Sequence, residues 1–251
     1  MSRVGRVSAE VTAARKAFLR RRTAVFFTFF FPLLLVVIFG TVIGTGAAGG
    51  FLGGTPAENV AAYLAVVVLF TPLSRVGSEV ARSREGNRFE KLATTPLSRV
   101  EWLLAHSLVN VAVIGIAGLL LLVAAVAVTG AEVVVSPTSV LFVPAFVATG
   151  VVAFCGVGAV IGSVADSQDG VIAAANGLAL PLILLSETFV PPAALPGWLP
   201  TELSPLTYFA RGVRAVLTEN AAGAGAANLA VLAAVAVMAL LVGAVALPRT
   251  D

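Results

Sequence analysis

The chain contains one cysteine, Cys155, one histidine, His106, and two lysines, Lys16 and Lys91. An internal disulfide is therefore excluded, as are zinc sites built from Cys and His clusters. Neither lysine follows a glycine, so there is no GxxxxGK phosphate loop and no ATP hydrolysis by that route. Charge is scarce as well. Only 12% of the residues are charged and 59% are hydrophobic, whereas a soluble domain carries about 25% charged residues. A chain of 251 residues so poor in polar groups cannot cover its own surface against water, but it can against lipid. The net charge of +3 is too small to suggest nucleic acid as a partner.

What is present is a series of long apolar runs. A bilayer-crossing helix needs about 20 apolar residues, and six segments qualify: 24–44, 60–78, 102–128, 140–164, 171–190 and 227–247. The runs are continuous rather than alternating and about twice as long as a barrel strand, which argues against a β-barrel. The expected fold is an all-α integral membrane protein with six transmembrane helices. Residues 1–23 precede this domain, 24–247 form it, and 248–251 are a tail.

The basic residues orient it. Lysine and arginine concentrate on the cytoplasmic side of a membrane protein. With the N-terminus inside, fourteen of the sixteen basic residues fall inside, including Arg249 in the tail, and only Arg211 and Arg214 fall outside. Both termini are therefore expected in the cytoplasm. The first span is longer than the 7–15-residue apolar core of a secretory signal, so it is read as a span rather than a leader. Before it, Val4, Val7, Val11, Ala14 and Phe18 recur at helical spacing among basic residues. This predicts an amphipathic helix lying in the inner interface, with its apolar stripe among acyl chains.

Several motifs yield to plain readings. "GTGAAG", Gly44 to Gly49, matches GxGxxG but follows a membrane helix rather than a strand, so it is read as an outer loop. Gly40/Gly44 and Gly158/Gly162 are GxxxG pairs, suited to close helix packing within the chain or at a dimer seam. Pro32, Pro144 and Pro181 lie within spans and should kink them. His106 reads as an interfacial anchor and Cys155 as a small packing residue.

Two stretches carry more. In "LILLSETFVPP", Glu187 lies near the outer end of the fifth span. It is expected to face protein or water, either as a substrate or gating contact or as a carboxylate paired with Arg211 or Arg214. The outer segment 191–218 has proline turns, the interfacial aromatic Trp198, and a helix start at Ser204–Pro205 with Leu206, Phe209, Val213 and Val216 as its apolar stripe. Short helices dipping into the outer leaflet are expected there. On the inner side, "RSREGNRFEKLATTPLSRVEWLL" gathers eight charged residues between two apolar runs. The second span is expected to continue as helix to about Ala93. "TTP" should break it, Pro96 should open the next helix, and Ser98-x-x-Glu101 forms a capping box. Phe89, Leu92 and Leu97 are expected as exposed apolar points. On composition alone this segment would be a solvated loop that fixes topology.

The two stretches together resemble the membrane subunit of type 2 ABC exporters, relatives of drug, polysaccharide and lipid exporters. "RSREGNRFEKLATTPLSRVEWLLAH" is similar to that family's Arg-Glu-x-Gly, Glu-x-Leu, Thr-Pro-Leu-Ser pattern, and "NGLALPLILLSETFVPPAALPGWLPTELSPLTYFARGVRAVL" to its outer stretch. The resemblance implies that the segment at about 79–101 is a coupling helix docking on a separate phosphate-loop ATPase. Arg84, Glu85, Gly86, Phe89, Glu90, Leu92, Thr95 and Pro96 would form the docking site. It also implies that Glu187, Pro191, Trp198, Tyr208 and Arg211 border the outer gate or substrate path. A second permease copy, most simply a homodimer, would complete the pathway for an exported small molecule or lipid within the cell membrane. No cofactor is expected on this chain; ATP and Mg would sit on the ATPase. Asn87, His106 and Glu187 depart from the family pattern, the last standing where glycine is usual after Leu-Ser. Two other classes remain open on the residues alone. One is a transporter driven by an ion gradient with Glu187, Asp166 or Asp169 as carriers, and the other is a non-transporting assembly or sensor subunit.

Overall fold

A computed structural model describes residues 2–43, 55–189 and 195–248. The outer-loop glycines Gly44 to Gly49, with Gly44 of the first glycine pair, Pro191 and Arg249 lie outside the described residues. Among the described residues there is no strand. In chain order the helices are α1 (Arg3–Leu19), α2 (Arg22–Val37, continued as a π-helix over Ile38–Ile43), α3 (Pro56–Glu85), α4 (Arg88–Ala93), α5 (Arg99–Thr129), α6 (Pro137–Val164), α7 (Gln168–Leu184), α8 (Pro205–Thr218) and α9 (Ala222–Ala246), with a 3₁₀ turn at Thr201–Leu203 before α8.

Among the described residues five helices are long and apolar enough to cross a membrane: α2, α3, α5, α6 and α9. The expected fifth of six spans, 171–190, is the shorter α7, at 17 residues. The apolar residues run on past Leu184, but the chain leaves the helix there into a turn, Ser186 N–H donating to Ile183 O at 3.1 Å.

Helix α3 is the core of the bundle and its most buried span, apolar nearly all round from Val60 to Phe70. Thr55 caps it reciprocally with Glu58, and Ser98 and Glu101 do the same for α5. Helix α6 lies along α3 so closely that a Cβ on Gly158 would meet Leu73 O at 2.6 Å, and one on Gly162 would strike Gly77 O. This glycine pair therefore serves packing within the chain. Cys155 is fully buried in the same seam, as expected of a packing residue. Pro32, Pro144 and Pro181 all lie inside helices, as does Pro72 of α3.

Two expected surface elements turn out to be packed on protein. In α1, Phe18 is buried with Val109 and Val113 of α5, and Val11 and Ala14 lean on the same cluster. The stripe expected among acyl chains is thus mostly covered by α5, and only Val4, 79% exposed, stands clear. An apolar stripe suits either environment, and α5 offers a complementary one. In α8, Leu206, Phe209, Val213 and Val216 are fully buried. This helix packs against α3, α6 and α9, so its stripe faces protein instead of dipping into lipid.

Candidate functional site

At one end of the bundle α3 leads into a charged hairpin. The helix stops at Glu85 rather than running on to Ala93. Gly86 caps it, and Asn87 takes a left-handed conformation with φ 50°, one that Asn tolerates better than most residues. The six-residue α4 follows. Thr94 and Thr95 hydroxyls then donate to Lys91 O at 2.8 Å and Leu92 O at 2.7 Å, closing the turn. Pro96 precedes the next helix instead of opening it, because Ser98 is the cap and α5 starts at Arg99.

Phe89 is only 9% exposed. Its ring meets Trp102 edge-on at 5.5 Å, and Leu92 and Leu97 are half-buried against the core. The expectation of exposed apolar points is corrected here. A helix as short as α4 has little stability of its own and is held by laying these side chains on the first turn of α5. The outward surface is polar: Arg84, Glu85, Gly86, Asn87, Arg88, Glu90, Lys91, Thr95 and Pro96 are exposed.

Polar contacts fasten this hairpin to the spans. Glu79 accepts from Arg21 at 3.2 Å, Arg82 at 2.7 Å and Arg88 at 3.3 Å. Arg82 also donates to Gln168 Oε1 at 2.6 Å, and Gln168 Nε2 donates to Glu85 at 3.4 Å. Arg84 donates to Ala165 O at 2.9 Å and Gly162 O at 3.3 Å, covering carbonyls left free at the end of α6. Exposed pairs of this kind contribute about 0–1 kcal/mol each. Their main effect is to fix direction: α2, α6 and α7 all meet the hairpin through named side chains. Sequence reading missed Glu79 and Gln168. The only signal was the Glu79–Arg82 spacing of three.

Helix α1 is fastened to the same end. Arg6 donates to Glu101 through Nε at 3.2 Å and Nη2 at 2.6 Å, so Glu101 both caps α5 and holds α1. His106 lies 3.3 Å from Glu10 and 4.0 Å, ring to ring, from Trp102. It ties α1 to α5.

At the opposite end the chain leaves α7 and meets α8. Glu187, 3% exposed, receives both Nε (2.7 Å) and Nη2 of Arg211. Arg214 Nη2 donates to Glu187 O at 2.5 Å and Thr188 O at 2.7 Å. The paired carboxylate holds Arg211 above its usual range, whereas burial pulls Arg214 below it. Glu202 lies 3.7 Å from Arg211. Of the two roles expected for Glu187, the geometry displays the ion pair with Arg211. Tyr208 is half-buried on α8, and Trp198 stands 79% exposed. Asp166 is exposed in the α6–α7 turn and Asp169 in the first turn of α7.

Among the described residues no cluster of His, Cys, Asp and Glu could hold a metal. No individual curated protein matches the sequence. The sequence pattern of the ABC-2 type transporter family matches residues 7–218, from α1 to the last residue of α8. With long apolar helices throughout, this is a multi-pass membrane protein, and it belongs to the ABC-2 type transporter family, whose members are the membrane permeases of ABC transporters.

Proposed function

We propose that the chain is the permease subunit of an ATP-driven exporter in the cell membrane. In this reading a separate phosphate-loop ATPase docks on the hairpin at 79–101, and a second permease copy completes the pathway. ATP and Mg belong to the ATPase, and no residue of this chain performs covalent chemistry. The observation that carries the reading is the family match over 7–218, combined with an exposed charged hairpin tied to α2, α6 and α7. Six crossings follow if α7 is counted. It begins beside Arg82 at the hairpin end and finishes with Leu182 O accepting from Ser204 at 2.9 Å at the other.

Closure of the ATPase dimer would push on Glu85, Glu90, Thr95 and Pro96, with Phe89 and Leu92 as the packed support beneath. The push would pass through Arg84 to α6 and through Arg82 and Gln168 to α7. Just beyond the end of α7 at Leu184 stands the Glu187–Arg211 pair, which with Pro191, Trp198 and Tyr208 would border the outer gate. Cargo is then moved by its different affinity for the inward- and outward-facing states. The substrate class is drug-like, lipid or polysaccharide. An ion-gradient mechanism is disfavoured: Asp166 and Asp169 are solvent-exposed and Glu187 is already neutralised by Arg211.

The test is co-purification with the cognate ATPase. Glu85→Lys and Glu90→Lys should lower ATPase recovery at least about tenfold, since a like-charge contact across an interface costs several kcal/mol. Normal recovery and transport in both variants, at normal membrane abundance, would refute docking at this surface.

A further inference from the structure

Arg75 is placed where an arginine is costly. It lies ten residues before the end of α3, about 15 Å deeper along the helix axis than Glu85. Its Nη1 is buried without a hydrogen-bond partner, and among the described residues its guanidinium forms no ion pair. Glu79, one turn away, is committed to Arg21, Arg82 and Arg88. The ring of Phe18 of α1 lies 4.1 Å beneath the guanidinium carbon. An ionisable residue in a membrane segment ordinarily pairs with something.

That something has room to bind. Arg75 lines a cavity of about 510 Å³ between α1, α3, α4 and α5, within the range of small-molecule sites. Arg21, Arg88 and Lys91 also border it, against Glu10 and Glu79, so its charge is net positive. Ser74, Ser78 and Asn110 add hydrogen-bonding groups, while Ala14, Phe18 and Val109 make one wall apolar. Asn110 Nδ2 donates to His106 O at 2.8 Å, and its Oδ1, a further buried atom without a partner, can accept only from a hydroxyl of a ligand. The combination is a guanidinium without an ion pair, hydroxyl groups, and an apolar wall whose Phe18 lies directly against that guanidinium.

We propose that this cavity binds a phosphate-bearing anion, with Arg75 as its principal contact. The apolar wall suits a phospholipid headgroup; a soluble phosphorylated compound presents the same group to Arg75. The ligand would also hold α1 in place, because Phe18 stacks on the guanidinium that the anion engages. This site lies within a single chain and needs no ATPase, so its failure would leave the permease reading intact.

The full chain, purified in neutral detergent, is titrated with fluorescent phosphatidylglycerol, and then with unlabelled phosphatidylglycerol, dioleoylglycerol or inorganic phosphate as competitors. Arg75→Gln should weaken binding at least about tenfold, as expected for losing hydrogen bonds to a charged group. Ala17→Trp, which fills the cavity and keeps Arg75, should do the same. Arg15→Gln, an equal charge change on the exposed side of α1, should leave binding within about twofold of wild type. Thermal melting identifies any variant that fails to fold, and Ala17→Trp then carries the test. Displacement by phosphatidylglycerol alone marks a lipid headgroup; displacement by millimolar phosphate marks a soluble ligand. Unchanged binding in both cavity variants, equal loss in Arg15→Gln, or equal displacement by dioleoylglycerol, which lacks phosphate, would overturn the proposal.

Discussion

Removing Arg211 should harm the protein more than removing Glu187, although the two form one ion pair. The side chains are 36% and 3% exposed respectively. In Arg211→Met the buried carboxylate keeps only Thr201, at a long 3.5 Å. Stripping a partner from a buried charge costs about 3–5 kcal/mol. In Glu187→Leu the remaining guanidinium is one-third exposed and still has Glu202 at 3.7 Å. Water and that second carboxylate should reduce the cost to about 1–2 kcal/mol. Arg214 grips the carbonyls of Glu187 and Thr188, not the carboxylate, so the turn itself survives in Glu187→Leu. The double variant replaces a buried pair with apolar groups and should be more stable than Arg211→Met alone. Thermal unfolding in mild detergent gives the order directly. Additive losses in the double variant, or a milder effect from Arg211→Met than from Glu187→Leu, would show that the pair is not a buried coupled unit.

Five of the six expected spans were legible because a continuous apolar run of bilayer length has few alternatives, and the starts of α5 and α8 because Ser98-x-x-Glu101 and Ser204–Pro205 are local chemistry. What the sequence hid depended on distant partners or on backbone geometry. The segment 171–190 reads as one span, but α7 stops at Leu184, just before the polar Ser186, Glu187 and Thr188. The turn beyond it is held by Arg214, 27 residues from Glu187. The stop at Gly86 was hidden because helical patterning continues through Phe89, and a single glycine rarely decides a boundary. Phe89 looked exposed because its neighbours are charged; the ring that covers it, Trp102, belongs to the next helix. At the outer site the residues were found, but whether Glu187 faced a pathway or an arginine required the fold of 195–218. Arg75 had registered only as one more inward positive charge, since nothing in sequence marks an unpaired guanidinium.

Two further outcomes are expected. In a Cys155→Ser background, cysteines at Val134 and Trp198 should react with an impermeant external thiol reagent, and cysteines at Arg88 and Ser167 should not. Labelling of Ser167 and Trp198 from the same side would mean that α7 does not cross. The second separates the support of the hairpin from its outer surface. Phe89 is buried on Trp102, and truncating a buried phenylalanine costs about 3–5 kcal/mol. Phe89→Ala should therefore lower the melting temperature of the isolated permease, whether or not any ATPase is present. Glu90 is exposed, so Glu90→Lys should leave that melting temperature within error and act only on ATPase recovery. If Phe89→Ala melts like wild type and loses the ATPase, the ring is an interface anchor and not the support that holds α4 on α5.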